Sequence, residues 1–369
     1  MGKLSQLIDI QATGLNNPDL LMISQENPHT PRNNSSTIFT QSDSETSDND
    51  EYLQVNPQII LTISSQSTGA FIEYRMARVI DTGSYGQVLE YRQKETKRMP
   101  PSLCIKVGLR VGDLDDDLKI LESLPSDFQF TGLIDSVAVP IEIDEERTEP
   151  ILIMPKMKGT VMSLFHKLQF PNLIEKMLMV NNVLYAISKT LLQLLKVRIY
   201  YTDLKLNNCL YRMNDDEELQ VYLCDLGSAF LPNQSQAMAT YPHIYRETCH
   251  HFIPELFDLQ YGLLIIYFQM MLENSDSEFS IPAKNFVQLF HKQIVNLTLD
   301  QKKSIIRELF GEVIDLILPT QKILVTYVEQ LENYLTTRWP THVNEIEKLS
   351  EINTFLKKQS VILQKLSHS

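Results

Sequence analysis

Tyr200-Tyr201-Thr202-Asp203-Leu204-Lys205-Leu206-Asn207-Asn208 sets an acid, a lysine two residues on and an asparagine three beyond that in one short stretch. Apolar Val197 and Ile199 precede it, and the strand-like Cys209-Leu210-Tyr211 follows. A polar loop fixed between apolar flanks carries chemistry more often than packing. Taken alone, Asp203 and Asn208 also suit a capped loop whose side chains satisfy its turns.

Composition narrows the setting. At 369 residues the chain has room for about two domains. Its hydrophobic fraction of 43% is enough for a core. Lys and Arg number 33 against 46 Asp and Glu, so the net charge is −13. That balance argues against nucleic acid as the main partner, because phosphates call for cations. Ordinary solubility accounts for it, and a basic substrate is compatible. Cys104, Cys209, Cys224 and Cys249 include no C-x-x-C pair, and three lie in apolar, strand-like surroundings. Reduced thiols and an intracellular protein are expected. The apolar run from Leu263 to Tyr267, continued by Met270 and Met271, is short for a bilayer, so a buried helix and no membrane span are expected. No signal peptide is visible, and Gln6 stands where an acylation signal wants Ser or Thr.

Outward from the loop, the chain divides by pattern. Residues 1–55 are rich in Asn, Ser, Gln, Thr and Asp, and read as a disordered tail. Within it, Ser42-Asp43-Ser44-Glu45-Thr46-Ser47-Asp48 suits either phosphorylation or a plain solvated linker. Phe71–Val79 and Val88–Tyr91 flank Gly83-Ser84-Tyr85-Gly86 and predict a hairpin. Gly83 and Gly86 would let backbone amides approach a phosphate, though they also suit an ordinary turn. Leu103–Val107 predicts a strand with Lys106 inside an apolar run. On a buried face that lysine needs an anionic partner; on an edge strand it would face solvent. Asp115–Leu124 reads as a short helix with acids at its positive end.

Val137–Ile143 and Ile151–Met154 add two strands, and Pro155-Lys156-Met157-Lys158-Gly159 breaks the pattern as a hinge. Leu173–Val197 has helical apolar spacing. Asn214–Glu218 forms a hairpin tip between strands Cys209–Arg212 and Gln220–Cys224, and Asp225-Leu226-Gly227 follows directly. Helices are expected over Leu259–Leu272, Phe286–Leu297, Ile305–Leu318, Gln321–Leu335 and Asn344–Leu366. The stripe Ile346, Leu349, Ile352 and Leu356 in the last of these is expected to pack on its own lobe.

A strand lysine, an Asp-x-Lys-x-x-Asn loop and an Asp-x-Gly after a hairpin, in that order, resemble the protein kinase superfamily over roughly residues 71–345. The resemblance implies a two-lobed α+β fold. Residues 71–154 would form a small β-rich N-lobe with one main helix, 155–159 the hinge, 160–345 a mostly helical C-lobe and 346–369 a C-terminal helix. Asp81 to Val88, with Gly83, Ser84, Gly86 and Val88, is similar to the glycine-rich loop over the ATP phosphates. Lys106 would contact the α- and β-phosphates, with Asp117 as its partner on the helix. Met154 falls at the gatekeeper position, and Pro155 to Met157 at the segment facing adenine. Asp203 resembles the catalytic base, Lys205 the residue that steadies the γ-phosphate, and Asn208 and Asp225 the two Mg2+ ligands. Ala239–Glu247 is similar to the end of the activation segment, with Glu247 its structural acid and Arg338 that acid's partner, while Asp258 opens the next helix. Lys205 two residues after the base, together with Thr240, implies a protein substrate with a Ser or Thr acceptor.

The departures from the family pattern have chemical content. Asp81 replaces a glycine, Asp117 is one methylene shorter than the usual Glu, and Leu226 replaces Phe. Tyr201-Thr202 stands for His-Arg, and Tyr245-Arg246 for Ala-Pro. Without that arginine no cation reads a phosphate on the activation segment, which implies activity independent of phosphorylation there. The Met-Pro-Lys hinge and the eroded motifs resemble the divergent kinases of large DNA viruses, herpesvirus-like ones especially. Two other functions fit the same residues: a pseudokinase scaffold with little or no transfer, and a small-molecule kinase. Oligomeric state is not readable from the residues.

Overall fold

Seven strands come first: β1 (Ile8–Thr13), β2 (Ile60–Ser65), β3 (Phe71–Thr82), β4 (Gly86–Gln93), β5 (Ser102–Gly108), β6 (Val137–Glu142) and β7 (Thr148–Pro155). The structure is a computed structural model and describes residues 8–13, 60–65, 71–83, 86–93, 102–125, 130–142, 148–231, 255–273, 278–282, 284, 286, 298–337, 339 and 343–368. The strands form one antiparallel sheet in the order β1-β2-β3-β4-β5-β7-β6. Its two edges, β1 and β6, come into contact, so the sheet curls back on itself. Closure of that kind covers edges that would otherwise invite pairing with other chains.

Period-two alternation sorts the sheet's two faces. Tyr74, Leu89, Tyr91, Leu103, Ile105, Val107, Val139, Ile151 and Ile153 form a buried apolar core on one face. Strand register puts Val88, Lys106 and Leu152 side by side on the other, with Glu90, Cys104 and Met154 next to them. Strand β1 lies inside the segment expected to be disordered. Its Ile8, Ile10 and Ala12 alternate with polar residues, a half-buried strand pattern that overall composition hides. The rest of that segment lies outside the described residues.

This sheet belongs to one compact unit, Met1–Leu114 with Ser136–Pro155; the second unit is Asp115–Asp135 with Lys156–Ser369. The second holds α1 (Asp115–Ser123), β8 (Gly159–Thr160), α2 (Val161–Lys167), α3 (Leu173–Lys196), β9 (Tyr200–Tyr201), β10 (Cys209–Met213), β11 (Leu219–Leu223) and β12 (Ala229–Phe230). It continues with α4 (Leu256–Leu272), α5 (Leu299–Asp315), α6 (Lys322–Thr336) and α7 (Glu345–Ser367). Most expected strands and helices match to within three residues at each end, but the helix expected over Ile305–Leu318 is Leu299–Asp315, starting six residues earlier. The helix expected over Phe286–Leu297 falls mainly outside the described residues. Helix α1, expected in the first lobe, groups with the second unit because Ile120 joins that unit's core and Asp117 bonds Gly227 there.

Helices α3 and α4 are the centre of the second unit. Asn172 caps α3 by accepting from Glu175 N–H at 2.9 Å, and an Asn at this position satisfies a donor the helix cannot. By length and apolarity α3 is capable of crossing a membrane. Its burial against α4 and α7, and its buried Lys176, Asn181, Ser188 and Thr190, make it a core helix instead. Lys176 is fully buried, and its Nζ donates to Met271 O, Glu273 O and Phe279 O at 2.9–3.1 Å. It thereby satisfies carbonyls at the C-terminal end of α4 that have no helical partner. Helix α4 is buried along nearly its whole length. Its polar interior residues, Gln260 and Gln269, each have a specific backbone partner, as buried amides require.

Candidate active site

The loop from Thr202 to Asn208 hangs between two short pairings. Strand β9 pairs with β12, Tyr201 opposite Ala229, and β10 follows the loop to pair with β11. Between them Leu204 and Leu206 are buried at 2% and 0% exposure. Leu206 N–H donates to Gln269 Oε1 on α4 at 3.1 Å. Leu204 packs against Gly262 so closely that a Cβ there would lie 2.6 Å from Leu204 Cδ1. The apolar residues thus pin the loop to α4, and the polar ones alternating with them are held in fixed positions.

Those polar residues meet at Asp203. Lys205 Nζ lies 2.9 Å from Asp203 Oδ2. Asn208 Nδ2 donates to the same Oδ2 at 3.1 Å and to Asp203 O at 3.0 Å. Asp203 is 5% exposed, so its charge needs protein neighbours such as these two. The two side-chain bonds fix the carboxylate's rotation and its distance from the lysine.

A second acid stands one strand away. Asp225 follows β11 in the left-handed region, at φ 61° and ψ 71°. Asp tolerates this conformation better than most residues, but it still costs free energy and persists only where neighbours enforce it. Three bonds enforce it here. Cys224 N–H donates to Asn208 O at 3.0 Å, Tyr201 Oη donates to Cys224 O at 2.5 Å, and Gly227 N–H donates to Asp117 Oδ1 at 3.2 Å. Burial, then nearby negative charge, pushes the Tyr201 hydroxyl well above its ordinary range, so it stays a donor. Thr202 Oγ1 donates to Ser228 O at 3.0 Å, a second tie between the loop and the turn after Asp225.

The first unit holds the remaining candidates. Gly83 N–H donates to Gly86 O at 2.8 Å and closes the β3–β4 turn; Ser84 lies outside the described residues. A Cβ on Gly86 would sit 2.6 Å from Val107 O, so only glycine lets β4 approach β5 there. Lys106 is half-buried beside Val88 and Leu152, and Met154 is nearly buried opposite Cys104. Asp81 is exposed, its Oδ1 accepting from Thr82 N–H at 2.9 Å. Glu90, on the face that carries Lys106, is fully buried between Arg78 and Arg92, each 2.8 Å away.

Each unit therefore assembles its own share of the expected site. The second gathers Asp203, Lys205 and Asn208, ties Asp117 to the turn after Asp225, and carries half-buried Met157 just beyond β7. The first lines up Val88, Lys106 and Met154 on one sheet face. Glu247, Arg338 and the segment from Ala239 lie outside the described residues. Gln269, Gly262 and Tyr201 escaped sequence reasoning as site residues. A glutamine inside so apolar a helix was the available signal, since a buried amide must have a partner.

Among the described residues no three His, Cys, Asp or Glu side chains gather into a metal cage. The donor set nevertheless fits Mg2+. Asn208 commits its amide nitrogen to Asp203, which leaves its oxygen as the ligating atom, and Asp225 offers a carboxylate. Mg2+ is commonly held by one or two such oxygens together with substrate phosphates.

The β-sheet unit and the mainly helical unit make an α+β architecture. No protein-family model and no curated protein matches the chain. Similar solved structures include the ROP18 kinase domain in complex with AMP-PNP and sucrose, 14% identical over 85% of this chain and 88% of that one, with a TM-score of 0.43.

Proposed function

We propose that this chain is a protein kinase that moves the γ-phosphate of ATP to a Ser or Thr hydroxyl of a protein substrate. The observation that carries the reading is the closed set at Asp203, where one carboxylate oxygen receives both Lys205 and Asn208. In phosphoryl transfer, positioning and charge neutralisation supply most of the catalysis. Asp203 orients the acceptor hydroxyl and takes its proton as the new P–O bond forms. Lys205 offsets charge on the transferring phosphoryl oxygens. Asn208 and Asp225 would hold Mg2+, which when bound neutralises the β- and γ-phosphate oxygens. Lys106 grips the α- and β-phosphates, Gly83 and Gly86 leave room for them, and Met154 and Met157 flank the adenine.

A pseudokinase scaffold is the second reading, and Asp81 favours it by setting an exposed acid where the family has glycine. Purified chain with labelled ATP, Mg2+ and casein or histone as acceptor separates the two. Transfer by the wild type and none by Asp203→Ala supports a kinase. ATP binding with no transfer above that variant would favour the scaffold.

A further inference from the structure

The C-terminal helix reaches the catalytic loop through one side chain. Glu345, in the first turn of α7, receives the Tyr200 hydroxyl on Oε2 and Leu256 N–H on Oε1, the latter at 2.6 Å. Tyr200 is three residues before Asp203 and pairs with Phe230 in the short β9–β12 ladder. Leu256 is the first residue of α4, the helix whose Gln269 and Gly262 pin the loop. A single carboxylate thus joins the strand entering the loop to the start of the helix beneath it. The helix end gives the bond direction: unpaired N–H groups and the positive end of the dipole hold a carboxylate there. One oxygen serves the helix, and the other is left to fix the tyrosine.

We propose that Glu345 is a positioning residue for phosphoryl transfer, acting through Tyr200 to hold the register of Asp203 against α4. The proposal rests on the kinase reading for its rate effect but not for its structural effect. Helix α7 is anchored independently by Leu349, Ile352, Phe355, Leu356 and Leu363, all buried, so a point change at Glu345 leaves its packing intact. Small displacements of a catalytic group are costly to rate even when binding is preserved.

The test compares Tyr200→Phe, Glu345→Ala and Glu345→Gln with the wild type by transfer kinetics and by hydrogen exchange. Tyr200→Phe and Glu345→Ala are each expected to lower kcat about tenfold while KM for ATP changes less than about twofold. The double variant should be no slower than the slower single one, because both remove one link. Glu345→Gln keeps oxygen and nitrogen at the same reach and should recover most of the rate. In hydrogen exchange, Glu345→Ala should speed peptides covering Tyr200–Asn208 and Leu256–Gln260. Unchanged kcat in folded Tyr200→Phe, additive losses, or faster exchange confined to α7 would each overturn the proposal. If the wild type transfers nothing above Asp203→Ala, the kinase reading fails, and the exchange experiment still decides whether Glu345 holds the loop.

Discussion

At the scale of single residues, the site is a set of acids whose neighbours are chosen for them. If, as proposed, Asp203 orients the acceptor hydroxyl, transfer by Asp203→Ala should fall by roughly 10²–10⁴-fold, with little change in the thermal midpoint. A loss below tenfold would mean that another group does this work. Asp225 tells a different story. Its left-handed backbone is a strained choice for any side chain, so Asp225→Gly should raise stability by about 0.5–1 kcal/mol while abolishing transfer. Urea unfolding of the variant checks the sign, and a fall in stability would show that the Asp225 carboxylate contributes more to the fold than its backbone costs.

Lys176 is the residue-scale case unconnected with catalysis. Burial lowers its ammonium to about 8 from the ordinary 10.5, with the charge of Glu273 opposing the shift. Between these two values the unfolded chain keeps a proton that the folded chain has released. Stability contributed by this group therefore rises with pH across that window, by at most about 1.4 kcal/mol per pH unit. Lys176→Met should lose that rise. It should also cost about 1–3 kcal/mol at neutral pH, because Met271 O, Glu273 O and Phe279 O lose the ammonium as a donor, the first keeping Ile281 N–H and the second the Ser280 hydroxyl. Unfolding free energies of both proteins at about pH 7.5 and about pH 9.5 provide the check; equal slopes would mean that some other group titrates.

At the scale of elements, α4 is the platform on which the Asp203 loop is built. The loop's own residues carry the chemistry proposed for it, yet its position is set by Gly262 and Gln269, about sixty residues downstream. Gly262→Ala forces a methyl into Leu204 and should cost about 1–3 kcal/mol by overpacking, with transfer reduced in the folded fraction. Adding Leu204→Ala removes Cδ1 and Cγ but keeps Cβ, 2.7 Å from the new methyl, so the double variant should recover only part of both. Thermal melts and initial rates on the three proteins decide this, and no recovery in the double variant would mean the clash is relieved elsewhere. The strand elements were the more legible ones. Short apolar runs at Leu103–Val107 and Ile151–Met154 announce them; the structure extends the first by one residue at each end and the second to Thr148–Pro155. Strand β1 was missed because six ordered residues sit within a polar segment whose average says disorder.

For the whole molecule, the consequential fact is that the described residues form two hydrophobic clusters, one in each unit. Tyr74, Leu89, Ile105 and Ile153 belong to the sheet's core, while Leu184, Leu204, Phe268 and Leu356 belong to the helical one. Cooperative all-or-none melting is the rule for single small domains and fails where cores are distinct. Calorimetry should therefore give a van't Hoff enthalpy below the calorimetric one, and equal values would mean the two cores melt as one.

Sequence by itself determined the order of elements and the chemical groups: Lys106, then Asp203, Lys205 and Asn208, then Asp225. It did so because periodicity and motif spacing are local properties of the chain. The tertiary structure alone decided which atoms these groups face. Asp117, which the sequence marks only as an acid on a short helix, accepts from Gly227 N–H at the turn after Asp225. Thr202, notable in the sequence for the arginine it replaces, turns out to tie the loop to Ser228. Glu345 has no motif at all. Its role exists only because α7 folds back to place a carboxylate between Tyr200 and the first turn of α4. A hydrogen bond between residues so far apart depends on the packing of whole helices, and no spacing in the sequence encodes it.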